Sequence, residues 1–430
     1  MTSLFRMALL SLITSLSVPA LAEEEMEMKT GAATMYEMSA ANCSDMEYLD
    51  IAMGMCMPLA MPGMPMRMLM VHGNAFLVGT TESGPRGKRE ITAPDMFMAD
   101  LGTSIGDRHY LNLDFMGTLE KWVYPDFGYP ELLQIGEDRQ NGTPFIDAQH
   151  PHSTPIMGLT LSDTISFGHE KDNLKVSFAP RGESTDGPIA FMHRPTGMVN
   201  PDAPLGHHIG QDVGHVSSTV FAASLKSGGF HFEASTFHGA EPSPTAVDLP
   251  IQNPDSFAFR VIEEFSDNWL AMASFAQITN PEPEDPGVTS EQRYSASVYY
   301  NREIAPGWKF YDMLVWGLVT HYDNTSTLTS FGEEFLFRGD RPRIWGRIEV
   351  LQRTAGELEI AGLSANDPHW VTALTLGYTH RLASFFDMEL GLGGSGTVDL
   401  LPGDFKSAYG GTPWTGRVFL QLGGMGMWNL

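Results

Sequence analysis

Methionine is the residue whose spacing in this chain asks for a chemical reading. Between Glu23 and Met70 lie 13 of the 26 methionines: Met26, Met28, Met35, Met38, Met46, Met53, Met55, Met57, Met61, Met64, Met66, Met68 and Met70. The stretch is poor in Leu, Ile and Val, is broken by Pro58, Pro62 and Pro65, and opens on Glu23, Glu24, Glu25 and Glu27. It reads as a tail, not a core. Exposed thioethers oxidise, so a tail has little reason to collect them. Thioether is also a soft ligand that selects Cu(I) over hard cations. The competing reading is adaptable apolar packing, since methionine fills irregular gaps. Cys43 and Cys56 are the two cysteines. In an oxidising compartment such a pair reads as a disulfide, and a thiolate copper site flanked by Met46, Met55 and Met57 is the alternative.

The first 22 residues read as a secretory signal. Arg6 is the basic start, Met7 to Val18 the apolar stretch, and Pro19-Ala20-Leu21-Ala22 the cleavage site. Beyond it no run of about 18 apolar residues remains, which excludes a helical membrane protein. Charged residues are 18%, below the roughly 25% of soluble domains, and glycines number 44. The net charge of −26 argues against nucleic acid as a partner and suits a surface that attracts cations.

From about Met66 onward, segments of roughly ten residues alternate apolar and polar, the pattern of transmembrane strands. In Phe230 to Phe237, Phe230, Phe232 and Ala234 oppose His231, Glu233 and Ser235. In Arg341 to Arg353, Ile344, Ile348 and Val350 oppose Arg343, Arg347 and Glu349. Tight links fall at Gly106-Asp107, Lys171-Asp172, Gly228-Gly229, Asp267-Asn268, Pro306-Gly307, Gly339-Asp340 and Ala383-Ser384. The links between them are mostly long, such as Glu120 to Ser153 and Arg181 to Gly214. Short turns on one side and long loops on the other are the asymmetry of an outer-membrane barrel. Trp122, Tyr124, Trp269, Trp308, Tyr322, Trp370 and Trp414 fit girdles at the interfaces. The expected fold is all-β: a closed antiparallel transmembrane barrel of about 16 strands (range 14–18) over 63–430, preceded by the acidic, methionine-rich leader 23–62, mobile or plug-like.

Period-two alternation then assigns faces. Leu69, Val71, Ala75 and Leu77 belong to the lipid side of the first strand, which turns Met66, Met68, Met70, His72 and Asn74 inward. Met96, Met98 and Asp100 of the second strand, and Asn112, Asp114 and Met116 of the third, face inward by the same rule. These residues, with Met53, Met55, Met57, Met61 and Met64 of the leader, are candidate soft-metal ligands. Several histidines lie in long loops: His150, His152, His193, His207 and His208, with His215 opening the next strand. Two imidazoles flanking Pro151 reach one metal from an extended chain. Their restricted backbone predicts that Gln149 to Ser153 folds into the lumen. Chance polar loop residues, or inward constriction residues, are the alternative.

An exported, acidic, methionine-rich leader ahead of an outer-membrane barrel resembles the copper resistance protein B type of bacterial outer-membrane protein. The likeness is of architecture, because that family's Met-Asp-His repeats are absent here and its barrel is smaller. The block Phe145 to Ser153, with Gln149-His150-Pro151-His152, resembles the Asp-Arg-Gln-His-Pro-His-Asp block of uncharacterised proteobacterial barrels, from which Ala148 and Ser153 depart. The first resemblance implies copper, as Cu(I), with metal ions, outer-membrane lipid and periplasmic copper-handling proteins as partners. No nucleophile elbow, phosphate loop or paired catalytic carboxylates are present, so an enzyme is not expected. The alternative is a general or substrate-specific porin, or a structural barrel, without a metal role.

Overall fold

The computed structural model describes residues 43–430, except 45, 140–141, 153–154, 168–170, 212–213, 215, 245–246, 282–287 and 322–325. The expected signal 1–22, the first four leader methionines, Ser153, His215 and Tyr322 lie outside the described residues.

The chain begins with a hairpin, β1 (Glu47–Asp50) and β2 (Met55–Pro58), and a disulfide joins Cys43 to Cys56 across it. Next come β3 (Arg67–Glu82), β4 (Arg89–Thr92), β5 (Asp95–Ile105) and β6 (His109–Gly117). A one-turn helix α1 (Glu120–Val123) and a second hairpin, β7 (Tyr129–Asp138) and β8 (Pro144–Gln149), stand apart from that sheet. The sheet resumes with β9 (Ile156–Ser166), β10 (Asn173–Gly182), β11 (Ser217–Ser227), β12 (Phe230–His238), β13 (Ser256–Ser266) and β14 (Trp269–Thr279). It continues through β15 (Ser290–Ala305), β16 (Trp308–His321), β17 (Thr327–Arg338) and β18 (Pro342–Thr354). It ends with β19 (Pro368–Phe385), β20 (Met388–Leu400) and β21 (Trp414–Asn429).

β21 returns to pair with β3, from Thr415 opposite Glu82 to Asn429 opposite Met68, which closes the wall. β4 and β5 both pair with β3 and are separated by Ala93 and Pro94, so they form one interrupted strand. Proline has no N–H for the ladder; the Pro94 carbonyl still accepts from Phe76 N at 2.8 Å. Among the described residues the wall is a closed antiparallel barrel of sixteen strands.

Alternation dictates its two surfaces. Leu77 is 52% exposed while Val78 beside it is fully buried. Leu101, Leu113, Phe232, Ile344, Ile348 and Val418 stand outside, while His231, Glu233, Arg347, Glu349 and Arg417 are buried inside. Water disfavours such an apolar exterior and lipid favours it. Trp269, Trp370 and Trp414 are exposed, but Tyr124 is buried within and is no part of a girdle. One turn departs from the sequence reading. β19 runs past Ala383-Ser384 to Phe385, and the turn is Phe386-Asp387, with φ of +48° and +60°. A two-residue hairpin turn of this hand needs positive φ at both positions. Phe386 carries no sequence mark for it.

Candidate functional site

The inward face of β3, β5 and β6 is a ladder of methionines and acids. Met70 pairs with Asp100, His72 with Met98 and Asn74 with Met96. Met98 in turn pairs with Met116, and Asp100 with Asp114. Met68, Met70, Met96, Met98 and Met116 are all buried, as are His72 and Asp100. His72 Nε2 lies 3.6 Å from Asp100 Oδ2, and Asn112 Nδ2 donates to Asp100 Oδ1 at 3.1 Å.

The leader hairpin packs on this wall. Met53, Met55 and Met57 join Met70, Met96, Met98 and Met116 in one apolar cluster. Sequence reasoning missed its other methionines, Met157, Met192 and Met425, with Met198 and Met427 at the margin. Among the described residues that makes ten buried methionines and two partly buried ones in a single cluster. Met425 and Met427 were legible in principle: they continue the inward parity of Arg417 and Gln421, in a glycine-rich tail that stays paired because the ladder needs only backbone. Met192 and Met198 sit in a loop, where no periodicity points to them. Met61 and Met64 lie outside the cluster in a bridged turn, with Met64 exposed; Met66 is half-buried, and Met68 is buried beyond the cluster's end.

Polar contacts fix the hairpin in place. Lys175 Nζ meets Asp50 Oδ2 at 2.6 Å, Tyr48 Oη donates to the same oxygen at 2.9 Å, and His193 Nδ1 donates to the Ala52 carbonyl at 2.8 Å. Burial alone would raise the Asp50 carboxyl. The Lys175 ammonium more than offsets this and holds it below the usual range. Between hairpin and wall lies a cavity of about 100 Å³, lined among others by Met53, Met57, Met98, Met116, Asp50 and Asp114.

Two long connections fill the rest of the interior. The first, 118–155, contains α1, β7 and β8 and brings His150 and His152 inside, each 5% exposed. His152 Nδ1 donates to Glu120 Oε2 at 2.7 Å, and its backbone N–H donates to the same oxygen at 2.9 Å. Burial pushes the Glu120 carboxyl up, but the charge and hydrogen bonds of His152 outweigh it and hold the group low. The second connection, 183–216, carries His193, His207 and His208. One ring nitrogen each of His150, His207 and His208 lies within 4.8 Å of the others. A smaller cavity, about 50 Å³, has Met96, Met157, Met192 and Met198 on its lining together with Glu120 and His152. Thioether wall and imidazoles therefore adjoin.

No family model and no curated protein matches the chain. Among solved structures it is similar to the anion-selective porin from Comamonas acidovorans, at 11% identity, TM-score 0.50, covering 84% of this chain and 99% of that one. It is similar as well to Salmonella typhi OmpF in complex with daunomycin, at 11% identity, TM-score 0.51, covering 83% and 97%. The chain is an outer-membrane β-barrel.

An inward-facing arginine set binds the barrel's own inserts. Arg194 of the 183–216 segment forms a two-pronged contact with Glu334 of β17, at 3.1 and 2.7 Å, and Arg347 of β18 meets the same carboxylate at 3.2 Å. Arg260 of β13 bonds Glu233 at 2.7 Å and the Gly187 carbonyl at 3.3 Å. Arg293 of β15 meets Asp186 at 3.1 Å, and Arg417 of β21 meets Asp202 at 2.8 Å and the Tyr129 hydroxyl at 2.9 Å. Arg353 of β18 donates to the carbonyls of Leu133 and Leu205. The first connection is anchored at Asp147, which accepts from Leu133 N and Tyr409 Oη at 2.8 Å and from Arg86 at 3.0 Å. Charges buried in this way are tolerated because most are paired with carboxylates, and Arg353 is held by backbone carbonyls.

Proposed function

We propose that this barrel is a porin-type channel held shut by its own inserts, conducting only when they move. The observation that carries the reading is the span of the 183–216 segment. It bonds Ser235 on β12 and Ser274 on β14, and also Glu334 on β17, Glu349 on β18 and Gln421 on β21. Those strands lie on different sides of the closed wall, so the segment crosses the lumen. An empty barrel of this strand number leaves an aqueous channel; here the space carries 118–155, 183–216 and the leader hairpin. Sugar uptake into proteoliposomes tests it. The unmodified chain is expected to leave them impermeable, and replacement of 185–214 by a short Gly-Ser linker to admit the sugar. Equal permeability of the two sinks the reading.

The methionine cluster favours a second reading, in which the cargo is a soft metal ion, copper as Cu(I), with periplasmic copper-handling proteins as partners. Thioethers from leader and wall share one lumenal cavity with Asp50, Asp114 and His193. A general porin lumen has no need of them, and soft-ligand preference supplies a reason. Packing of a plug against a wall supplies another. Titration of the folded barrel with Cu(I) and Ag(I) separates the two. Copper cargo predicts that Met57→Leu with Met98→Leu weakens binding while the barrel stays folded. Unchanged binding, or lost stability with no change in metal affinity, leaves only packing.

A further inference from the structure

Imidazoles from two separate inserts converge inside the barrel. His150 follows the last residue of β8, while His207 and His208 open a tight turn, His207–Gln211. That turn is seated on the wall: the Ile209 carbonyl accepts from Ser330 Oγ at 2.7 Å. Gly210, at φ +69°, lies so close to Tyr294 and Gly317 that any added Cβ would collide with backbone. The ring of His208 is 5.6 Å from that of His150 and 4.7 Å from that of His207.

We propose that His150, His207 and His208 bind one divalent first-row transition ion of the zinc class, which ties the 118–155 insert to the 183–216 insert. One nitrogen of each ring falls within 4.8 Å of the others. Ligands about 2.0–2.1 Å from a shared tetrahedral ion lie roughly 3.4 Å apart, so small rotations complete the site. His150 is oriented for it. Its Nδ1 lies 3.1 Å from the Pro151 carbonyl, which only accepts, so the proton is on Nδ1 and the lone pair on Nε2. A backbone carbonyl holding the far nitrogen is the usual support of a ligating histidine. Three imidazoles suit zinc, cobalt, nickel or copper(II), and suit neither calcium and magnesium nor the thioether-seeking Cu(I). The site is thus chemically distinct from the methionine cluster and does not rest on the copper reading. Because its ligands come from both inserts, the ion stabilises the arrangement in which both lie inside, by an amount that grows with the logarithm of free ion concentration above its dissociation constant.

The test is a titration of the purified, chelator-stripped, full-length barrel in detergent with Co(II), followed by visible absorbance, and with Zn(II), followed by calorimetry. One ion per barrel is expected, with absorption bands of nitrogen-ligated cobalt. His150→Ala and His207→Ala should each weaken binding by more than about tenfold, and His109→Ala, at the exposed start of β6, should leave it unchanged. Heat-modifiable migration on gels reports whether each variant is folded. Zn(II) should also slow proteolysis of the inserts in the unmodified barrel. Absence of stoichiometric Co(II) and Zn(II) binding to that barrel, which needs no variant, overturns the proposal, as does binding by folded His150→Ala and His207→Ala as tight as that of the unmodified barrel.

Discussion

At the residue scale the most exacting group is His193. Its Nδ1 holds the Ala52 carbonyl of the leader hairpin. Burial, aided by His72, outweighs the Ala52 hydrogen bond and the charges of Asp100 and Asp50 and takes its pKa down from 6.5 to about 4; the Glu183 carboxylate lies 3.9 Å away. The native state thus favours neutral His193, while the unfolded chain takes up a proton near pH 6.5. Its stabilising contribution is complete above about pH 6.5 and is lost as pH falls toward 4. Limited proteolysis of the hairpin should therefore accelerate between pH 7.5 and 4. His193→Gln, which keeps a donor for Ala52, should flatten that profile. An identical pH profile in the variant would remove His193 as the cause. The faces of the wall methionines were legible because strand parity is a strict period of two. Contributions from Met192 and Met198, or from His207 and His208 toward His150, depend on where a loop folds, and no local pattern encodes that.

At the element scale the inserts are held by shared charges, which makes their stability cooperative. Glu334 accepts from Arg194, Arg347 and Thr196. Glu334→Gln leaves two buried guanidinium groups without their carboxylate and should cost about 3–5 kcal/mol, read as a lower midpoint for release of the 183–216 segment in denaturant. The wall unfolds at higher denaturant, so two transitions are expected in place of one. A single unshifted transition would show that Glu334 does not hold the insert. The leader hairpin is closed by Cys43–Cys56, 13 residues apart in sequence. Chain entropy assigns such a loop roughly 3 kcal/mol, so Cys43→Ser with Cys56→Ser should make residues 43–60 protease-sensitive and leave the wall intact. Protection equal to that of the unmodified chain would mean packing alone fixes the hairpin. The strands could be read from the sequence, since lipid on one side and polar groups on the other impose alternation on every one. The turn at Phe386-Asp387 could not, since nothing in Phe386 announces positive φ.

At the scale of the whole molecule the barrel is a container that encloses its own chain. Wall arginines on β13, β15, β18 and β21 point inward onto the inserts, where an open pore would present them to solvent. The chain's acidity shows here too, because inserted Asp186 and Asp202 meet Arg293 and Arg417, and inserted Asp50 and Asp147 meet Lys175 and Arg86. The sequence displayed both charge sets but not their pairing, which is set by contacts between residues far apart in the chain. Single-channel recording in a planar bilayer tests the closed lumen most directly. The unmodified barrel is expected to insert without steady conductance, and replacement of 185–214 by a short linker to open steady steps, smaller than those of an empty sixteen-stranded barrel because 118–155 and the leader hairpin remain inside. Steady, porin-sized conductance from the unmodified chain would contradict the closed lumen.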